Sequence, residues 1–268
     1  MKNSRSGEKI KLTSIDELLG VVNEESAMEI EIKAISPFKG HPFKVIADDK
    51  MEELINSVKE SGVITPVLLR PAGENHYEMI SGHRRMYAAR KAGLSTMPAI
   101  VRDMTDDEAV IAMVDANIQR EELLPSEKAF AYKMKLDAMK RQGKRSDLTS
   151  VPLAQKLQGK TSRQLLGEQV GESQDQSRRY IRLTELITPI LDMVDEGKIA
   201  MRPAVELSYL PKEQQQVLLD TMEQEDCTPS HAQAIKMRKF AEAGKLNEDV
   251  ILAFMEPSTV REDVRNIK

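Results

Sequence analysis

Tyr77-Glu-Met-Ile80-Ser-Gly-His-Arg-Arg85, running straight into Met86-Tyr-Ala-Ala-Arg-Lys-Ala-Gly93, decides the fold of the first half of this chain. Its apolar start reads as a short buried strand, and the residues after Gly82 have helical spacing, so strand hands over to helix through one glycine. Such a handover leaves backbone N–H groups unpaired at the positive end of the helix dipole. Arg84 and Arg85 add charge-assisted donors suited to phosphate oxygens, and Gly82 permits close backbone approach. Ser81, Gly82, His83, Arg84 and Arg85 are therefore candidates for holding an anion. A simply solvated arginine pair is the plainer alternative.

Working outward, Asp48 or Asp49 can cap a helix in which Met51, Leu54, Ile55 and Val58 fall at i, i+3, i+4 and i+7, with Gly62 ending it. Val67-Leu-Leu69 and Pro98-Ala-Ile-Val101 read as further short strands, the first joined to Tyr77 through the turn-prone Pro71-Ala-Gly-Glu-Asn75. Residues 34–104 are thus expected to form a small α/β domain. Residues 1–33 read as a mobile arm with one short helix at 15–20, capped by Ser14 and Glu17.

After Thr105 the pattern is helical throughout, which makes the whole chain α+β. Asp106 is the expected cap of a helix reaching Ile118. Near its end lies Asp115-Ala-Asn-Ile-Gln-Arg120, where Asn117 and Arg120 can approach a phosphate or a metal-bound water; helix C-terminal capping is the alternative. Pro125-Ser-Glu127 opens another helix, ending in the basic run Lys140-Arg-Gln-Gly-Lys-Arg145, and 146–152 reads as a loop. Then Thr161 with Gln164, and Ser173 with Gln176, mark two capping boxes on either side of Gly171. Two helices joined by a short Gly-containing turn have the form of a helix-turn-helix, at about 161–186 of a helical domain spanning 105–227. Ser173, Gln174, Gln176, Ser177, Arg178, Arg179 and Arg182 on its second helix are suited to base edges and phosphates in a major groove, against the alternative of an ordinary solvated face. Helices at 189–196, 201–207 and 212–223 follow, and the C-terminal segment 228–268 carries a basic helix to about 243 and a short one at 247–255.

The chain's 39 Lys+Arg against 43 Asp+Glu give a formal charge of −4, so a nucleic-acid surface has to be a local concentration of basic residues. One cysteine, Cys227, excludes an internal disulfide and a multi-thiolate metal site and points to a reducing cytosol. The absence of Trp argues against an aromatic stacking platform. His41, His76, His83 and His231 are scattered without zinc-site spacing, and there is no Walker A loop. No apolar run approaches transmembrane length and the start lacks a signal-peptide core, so a cytoplasmic protein without a membrane span is expected.

Taken in order, these segments resemble the ParB/Noc partition-protein family. The resemblance lies in Ser57-Val-Lys-Glu-Ser-Gly-Val-Ile-Thr-Pro66, Gly82-His-Arg-Arg85 with its Ala-rich helix, Ala116-Asn-Ile-Gln-Arg-Glu121, Leu124-Pro-Ser-Glu127 and the central helix-turn-helix. It covers about 35–210. The resemblance implies a sulfiredoxin-like fold for the first domain and a dimeric, CTP-binding clamp that reads a palindromic double-stranded DNA site. It also implies nucleoid or plasmid association, a role in chromosome or plasmid segregation, and a ParA-type ATPase as partner. By the same token Ser81, Gly82, His83, Arg84 and Arg85 cradle the triphosphate, Asn117 sits near phosphate and Mg2+, and Arg120 supports that face. His83 and Ala116 stand where the family has Glu, so at most a weak CTPase is implied. The family's upstream Asn-Pro-x-Gln-Pro-Arg is represented only by Ser36-Pro-Phe-Lys-Gly-His-Pro-Phe43, and 228–268 does not match the usual dimerisation domain. This marks a divergent branch. Two other functions fit the same residues: a transcriptional regulator whose first domain only docks partners, and an NTP-hydrolysing enzyme. Sulfiredoxin chemistry is disfavoured because Cys227 is far from the Arg-bearing loop.

Overall fold

The computed structural model describes residues 27–118, 123–146 and 161–255. The expected helix at 15–20 and the loop at 146–152 lie outside or at the margin of these residues. The chain is α+β, as its pattern predicts. Five strands form one mixed sheet in the order β1-β5-β3-β4-β2: β1 (Met28–Glu31), β2 (Ile35–Pro37), β3 (Val67–Gly73), β4 (His76–Ser81) and β5 (Thr96–Val101). β1–β5 and β3–β4 are antiparallel, while β3–β5 and β2–β4 are parallel. The sequence pattern places Met28–Glu31 in the arm, but these residues pair with β5 and extend the sheet. Only Ile30 of β1 is buried, which is why no apolar run announces it.

Alternation along β4 explains how the sheet is covered. Met79 and Ile80 are both fully buried, yet successive strand residues face opposite sides. Met79 joins Val67, Leu69 and Met97 in a core under helices α1 (Asp49–Ser61) and α2 (His83–Lys91). Ile80 joins a second core with Phe38, Phe43 and residues of α3 (Asp106–Ile118), α4 (Pro125–Ser146) and α5 (Ser162–Val170). The sheet is thereby fastened to the helical region. Arg70 on β3 strengthens that fastening, reaching both Glu78 of β4 and Asp106 at the start of α3 (2.8 Å).

Helix boundaries follow from side-chain caps. Asp48 accepts from the Met51 amide and caps α1. For α3 the cap is Thr105 rather than Asp106: the Glu108 carboxylate accepts from the Thr105 amide at 2.9 Å and the Thr105 hydroxyl faces the Glu108 amide. Two such mutual bonds satisfy two helix-end donors, whereas an acid at position 106 supplies charge to the first turn. Beyond α5 come α6 (Gln174–Leu183), α7 (Thr188–Asp195), α8 (Met201–Leu207), α9 (Lys212–Gln224), α10 (His231–Glu242) and α11 (Glu248–Met255). They enclose a third core of Leu183, Ile190, Leu207, Leu218, Met237 and Ile251. Asp195, at the end of α7, accepts from the Ser126 amide (2.9 Å) and its hydroxyl, capping α4 from outside and tying the third core to the second.

Candidate nucleotide and DNA interfaces

At the β4–α2 handover Gly82 has φ 112°, a left-handed conformation, and caps α2 with no side chain. A Cβ there would lie 2.4 Å from Val67 Cγ1, so no other residue fits without displacing β3. The first amides of α2 thus end beside a bare glycine, an arrangement suited to an anion. Arg84 lies next to it, partly exposed, with its guanidinium 3.6 Å from the Asp48 carboxylate that also caps α1. Arg85 is differently employed. Its Nη1 donates to the carbonyls of Thr65 and Pro66, both at 2.7 Å, and burial lowers its pKa. One end of its guanidinium therefore holds the turn into β3, a second employment that the sequence pattern did not announce.

His83 turns inward. Its Nε2 accepts from the Phe38 amide at 3.5 Å, and its ring stacks on His41 with centroids 3.7 Å apart. Burial, and then the proximity of His41, push its pKa down to about 3, so it is a neutral acceptor at physiological pH. Ser81 is half-buried at the end of β4, paired in register with Leu68.

Asn117 lies in the last turn of α3, half-buried, and its amide donates to the Met113 carbonyl at 2.8 Å. Its amide oxygen remains for a ligand, but Asp115 next to it is bound to Lys135 of α4. Arg120 lies outside the described residues. Among these residues no group of three His, Cys, Asp or Glu can hold a metal. Among the described residues Asn117 offers one amide oxygen and the neighbouring Asp115 is paired with Lys135, whereas Mg2+ takes octahedral oxygen donors including carboxylate or phosphate.

The helix-turn-helix is built by α5 and α6. Thr161 and Gln164 form the expected reciprocal capping box, and Gly171 ends α5 with φ 71°. Gly167 lies hard against the turn and the start of α6: a Cβ there would meet the Glu172 carbonyl at 2.8 Å and the Gln174 amide nitrogen at 3.2 Å. Ser173 caps α6 through the Gln176 amide. Glu172, at the turn, is gripped from α4 by Lys128 (3.2 Å) and Tyr132 (3.3 Å). Of the expected DNA contacts, Ser173, Gln174, Arg178 and Arg179 are exposed and Gln176 is half-exposed. Ser177 is not available: it is 2% exposed and its hydroxyl donates to the Ser173 carbonyl. Arg182 is also committed. It donates from Nε to Ser208 at 3.0 Å and stacks on the Tyr209 ring, over which Arg238 also lies. The helical period separates the two positions, turning Ser177 towards α4 and α5 and Arg182 towards the end of α8.

Models of two protein families match the sequence: the ParB N-terminal domain over residues 19–118 and the ParB HTH domain over residues 146–239. A nucleoid occlusion protein of Listeria monocytogenes serotype 4a (strain HCC23) is 32% identical over 222 residues, covering 82% of this chain and 70% of that protein. This chain belongs to the ParB family. A probable chromosome-partitioning protein ParB of Pseudomonas putida is 29% identical, with 76% of this chain and 64% of that protein covered. The chain spans less than two thirds of the length of several such ParB-family relatives, including a Bacillus velezensis nucleoid occlusion protein at 63%. Among solved structures it is similar to a C-terminally truncated ParB from Caulobacter crescentus complexed to the centromeric parS site. The TM-score is 0.46 at 20% identity, covering 85% of this chain and 98% of that one. The same Caulobacter protein complexed with CTP-gamma-S gives a TM-score of 0.33 at 24% identity, covering 68% and 92%.

Two clefts flank α6 in this ParB-family chain; the residues they draw from α6 were named from the sequence, and those drawn from its neighbours were not. One, of about 210 Å³ against α4 and α5, includes Lys133, Lys140 and Arg163 beside Gln174 and Arg178. The other, of about 250 Å³ against α8 and α10, includes Arg179, Arg182, Tyr209 and Arg238. The basic character of 140–145 and of the helix after Thr228 was the available signal; what it lacked was the packing that brings those segments to α6. The mild overall acidity is thus compatible with a locally positive surface on both sides of this helix.

Proposed function

We propose that this ParB-family protein is a sequence-specific DNA-binding partition or nucleoid occlusion protein, dimeric on a palindromic site and controlled by CTP. The observation that carries the DNA half is the exposed row Gln174, Arg178 and Arg179 on a helix locked by Gly167 and Glu172 and flanked by cationic clefts. Long donors on a rigid helix are what base-edge and phosphate contacts require. The nucleotide half is supported by the bare-glycine start of α2 with Arg84 beside it. Ser81 and the Asn117 amide oxygen are the remaining groups suited to the triphosphate, and the ion accompanying it would be held mainly by its phosphates. A nucleotide closes a clamp only by binding the closed dimer better than the open one. Nucleoid association and a ParA-type ATPase partner belong to the same proposal.

DNA recovered by crosslinking and immunoprecipitation of the protein supplies the duplex for anisotropy titrations. Affinity is expected to fall linearly on a log–log salt plot. Arg178→Ala and Arg179→Ala should each weaken binding by about 1–3 kcal/mol where the arginine reads a base, or lower the salt slope by about 1 where it meets a phosphate. Unchanged binding in both rejects the α6 assignment. Crosslinking across the dimer interface with CTP, other NTPs and DNA, each present or absent, tests the clamp. The commitment of Arg85 to backbone carbonyls favours a second reading, a regulator without a nucleotide. Equilibrium dialysis showing no CTP binding, with DNA binding intact, would establish it.

A further inference from the structure

α6 has to be held at both ends if its exposed row is to meet a duplex at one angle. Its start is fixed by the turn against Gly167 and by the grip of Lys128 and Tyr132 on Glu172. A helix of 10 residues is about 15 Å long, so a tilt of about 10° about that start moves the last turn by roughly 2–3 Å. Hydrogen bonds to base edges do not survive such a shift. Leu183 holds the far end in the third core, but apolar packing has little directionality. A directional hold on that end runs through Arg182.

Arg182 donates to the Ser208 hydroxyl (3.0 Å) and carbonyl (2.5 Å) at the end of α8, and its guanidinium lies over the Tyr209 ring, 4.0 Å from the centroid. Arg238 of α10 lies over the same ring at 3.7 Å and is itself held by Glu206 of α8 (3.1 Å) and Glu242 (2.8 Å). Half-buried Tyr209 thus joins α6 to α10. Two cations over one ring are a poor choice for a joint that only stabilises the fold, because their centres lie within about 8 Å of each other and repel. Arg238 has carboxylates to offset this. The hydrogen bonds of Arg182 go to uncharged oxygens, and its charge adds to that of exposed Arg178 and Arg179 in the same cleft, which Asp175 also lines. A phosphate backbone is the kind of ligand that such a field draws in.

We propose that Tyr209 is a positioning residue for DNA reading: with Arg182 over its ring from α6 and Arg238 from α10, it sets the tilt at which Arg178 and Arg179 meet the duplex. This rests on the DNA half of the function proposed above. Loss of the ring should cost discrimination between sequences more than it costs electrostatic binding, since Arg178 and Arg179 remain on the surface.

The test compares the parent with Tyr209→Leu, Tyr209→Phe and Arg238→Gln on two duplexes of equal length, the one recovered by immunoprecipitation and a scrambled one. Affinities are measured at one salt concentration and at a temperature where circular dichroism shows every protein folded. In Tyr209→Leu the ratio of the two affinities should fall about tenfold, the loss expected of cation–π contacts, with binding to the scrambled duplex within about twofold of the parent. Arg238→Gln, a milder change that leaves Tyr209 in place, should lower the ratio roughly threefold. Tyr209→Phe keeps the ring and should match the parent. An unchanged ratio in Tyr209→Leu and Arg238→Gln overturns the proposal. So do equal losses on both duplexes, which would make the joint purely structural, and a Tyr209→Phe variant as weak as Tyr209→Leu, which would put the hydroxyl itself on the DNA. A parent that does not distinguish the duplexes, or is indifferent to Arg178→Ala and Arg179→Ala, fails at the earlier step, the assignment of α6 itself, and takes this inference with it.

Discussion

Lys135 on α4 has a fully buried side chain, and its ammonium meets Asp115 of α3, whose side chain is 49% exposed. The pair is buried at one end and wet at the other, so its two halves should respond unequally to removal. Asp115→Ala strands a cation among apolar residues. Breaking a buried pair this way costs about 3–5 kcal/mol, and the half-exposed position of Asp115 admits some water, which puts the expectation near the lower end, at about 3 kcal/mol. Lys135→Met keeps the unbranched shape, removes the buried charge and leaves a carboxylate able to hydrate. It should lie within about 1 kcal/mol of the parent. The double variant Lys135→Met/Asp115→Ala should also lie within about 1 kcal/mol, so the cycle gives a coupling of about 2–3 kcal/mol. Urea unfolding followed by far-UV circular dichroism measures this, provided the slope stays constant across the four proteins. If Asp115→Ala is as mild as Lys135→Met, or Lys135→Met is the costlier, the buried-cation argument is wrong.

Gly82→Ala combines a left-handed φ with a clash on Val67 and should cost about 3 kcal/mol; adding Val67→Ala should return the part due to contact, and a neutral Gly82→Ala in thermal unfolding would contradict the geometry. His83 has a pKa of about 3 in the folded chain against 6.5 for the ordinary group, so between those values the unfolded chain binds the extra proton. Stability is then full above about pH 6.5 and is lost as pH falls towards 3. Urea midpoints at pH 7 and pH 5 should separate more in the parent than in His83→Gln, and equal separation would reject a neutral buried imidazole. Gly167→Ala presses on the Glu172 carbonyl and should cost about 1–3 kcal/mol while weakening DNA binding. Arg182→Ala should destabilise the fold through lost contacts to Ser208 and Tyr209; a loss of DNA affinity with unchanged melting temperature would restore it to the DNA face.

What could be read from the residues alone was local. The i, i+3, i+4, i+7 row of α1, the glycine break at position 82, and the Thr161–Gln164 box all lie within a few residues of their partners, so spacing suffices to find them. The features not legible there depend on distant partners or on choosing between equal local candidates. Thr105 and Asp106 are both good cap residues, and only the reach of Glu108 decides between them. β1 has one buried side chain and owes its existence to β5, nearly seventy residues away. Arg85 looks like any phosphate-seeking arginine until the turn at Thr65 and Pro66 is folded beneath it. Ser177 and Arg182 sit on the correct helix but on faces set by how α4 and α8 pack against it. A helix assignment does not say which side is wet.

The proposed control of DNA grip by a ligand at α2 requires a physical connection, and the packing supplies one made of discrete contacts. His83, first residue of α2, receives the Phe38 amide; Phe38 shares a core with Ile80, Met113 and Tyr132. Tyr132 on α4 packs edge-on against Tyr180 of α6 (5.7 Å) and bonds Glu172 at the turn before that helix, with Lys128 on the same carboxylate. An anion at α2 would draw on Arg84, competing with its pairing to Asp48 and so with the cap of α1. Coupling through this chain demands that one of its links have two stable arrangements, since contiguity alone transmits nothing. The weakest link by geometry is the 3.6 Å Arg84–Asp48 pair, and the best connected is the part-buried Tyr132–Glu172–Lys128 cluster. Nucleotide dependence of DNA binding should therefore respond to Asp48→Asn, which keeps a capping oxygen while removing the competing charge. Tighter nucleotide binding with α1 intact is the expected result, and unchanged affinity would show that Arg84 takes no part in holding the anion.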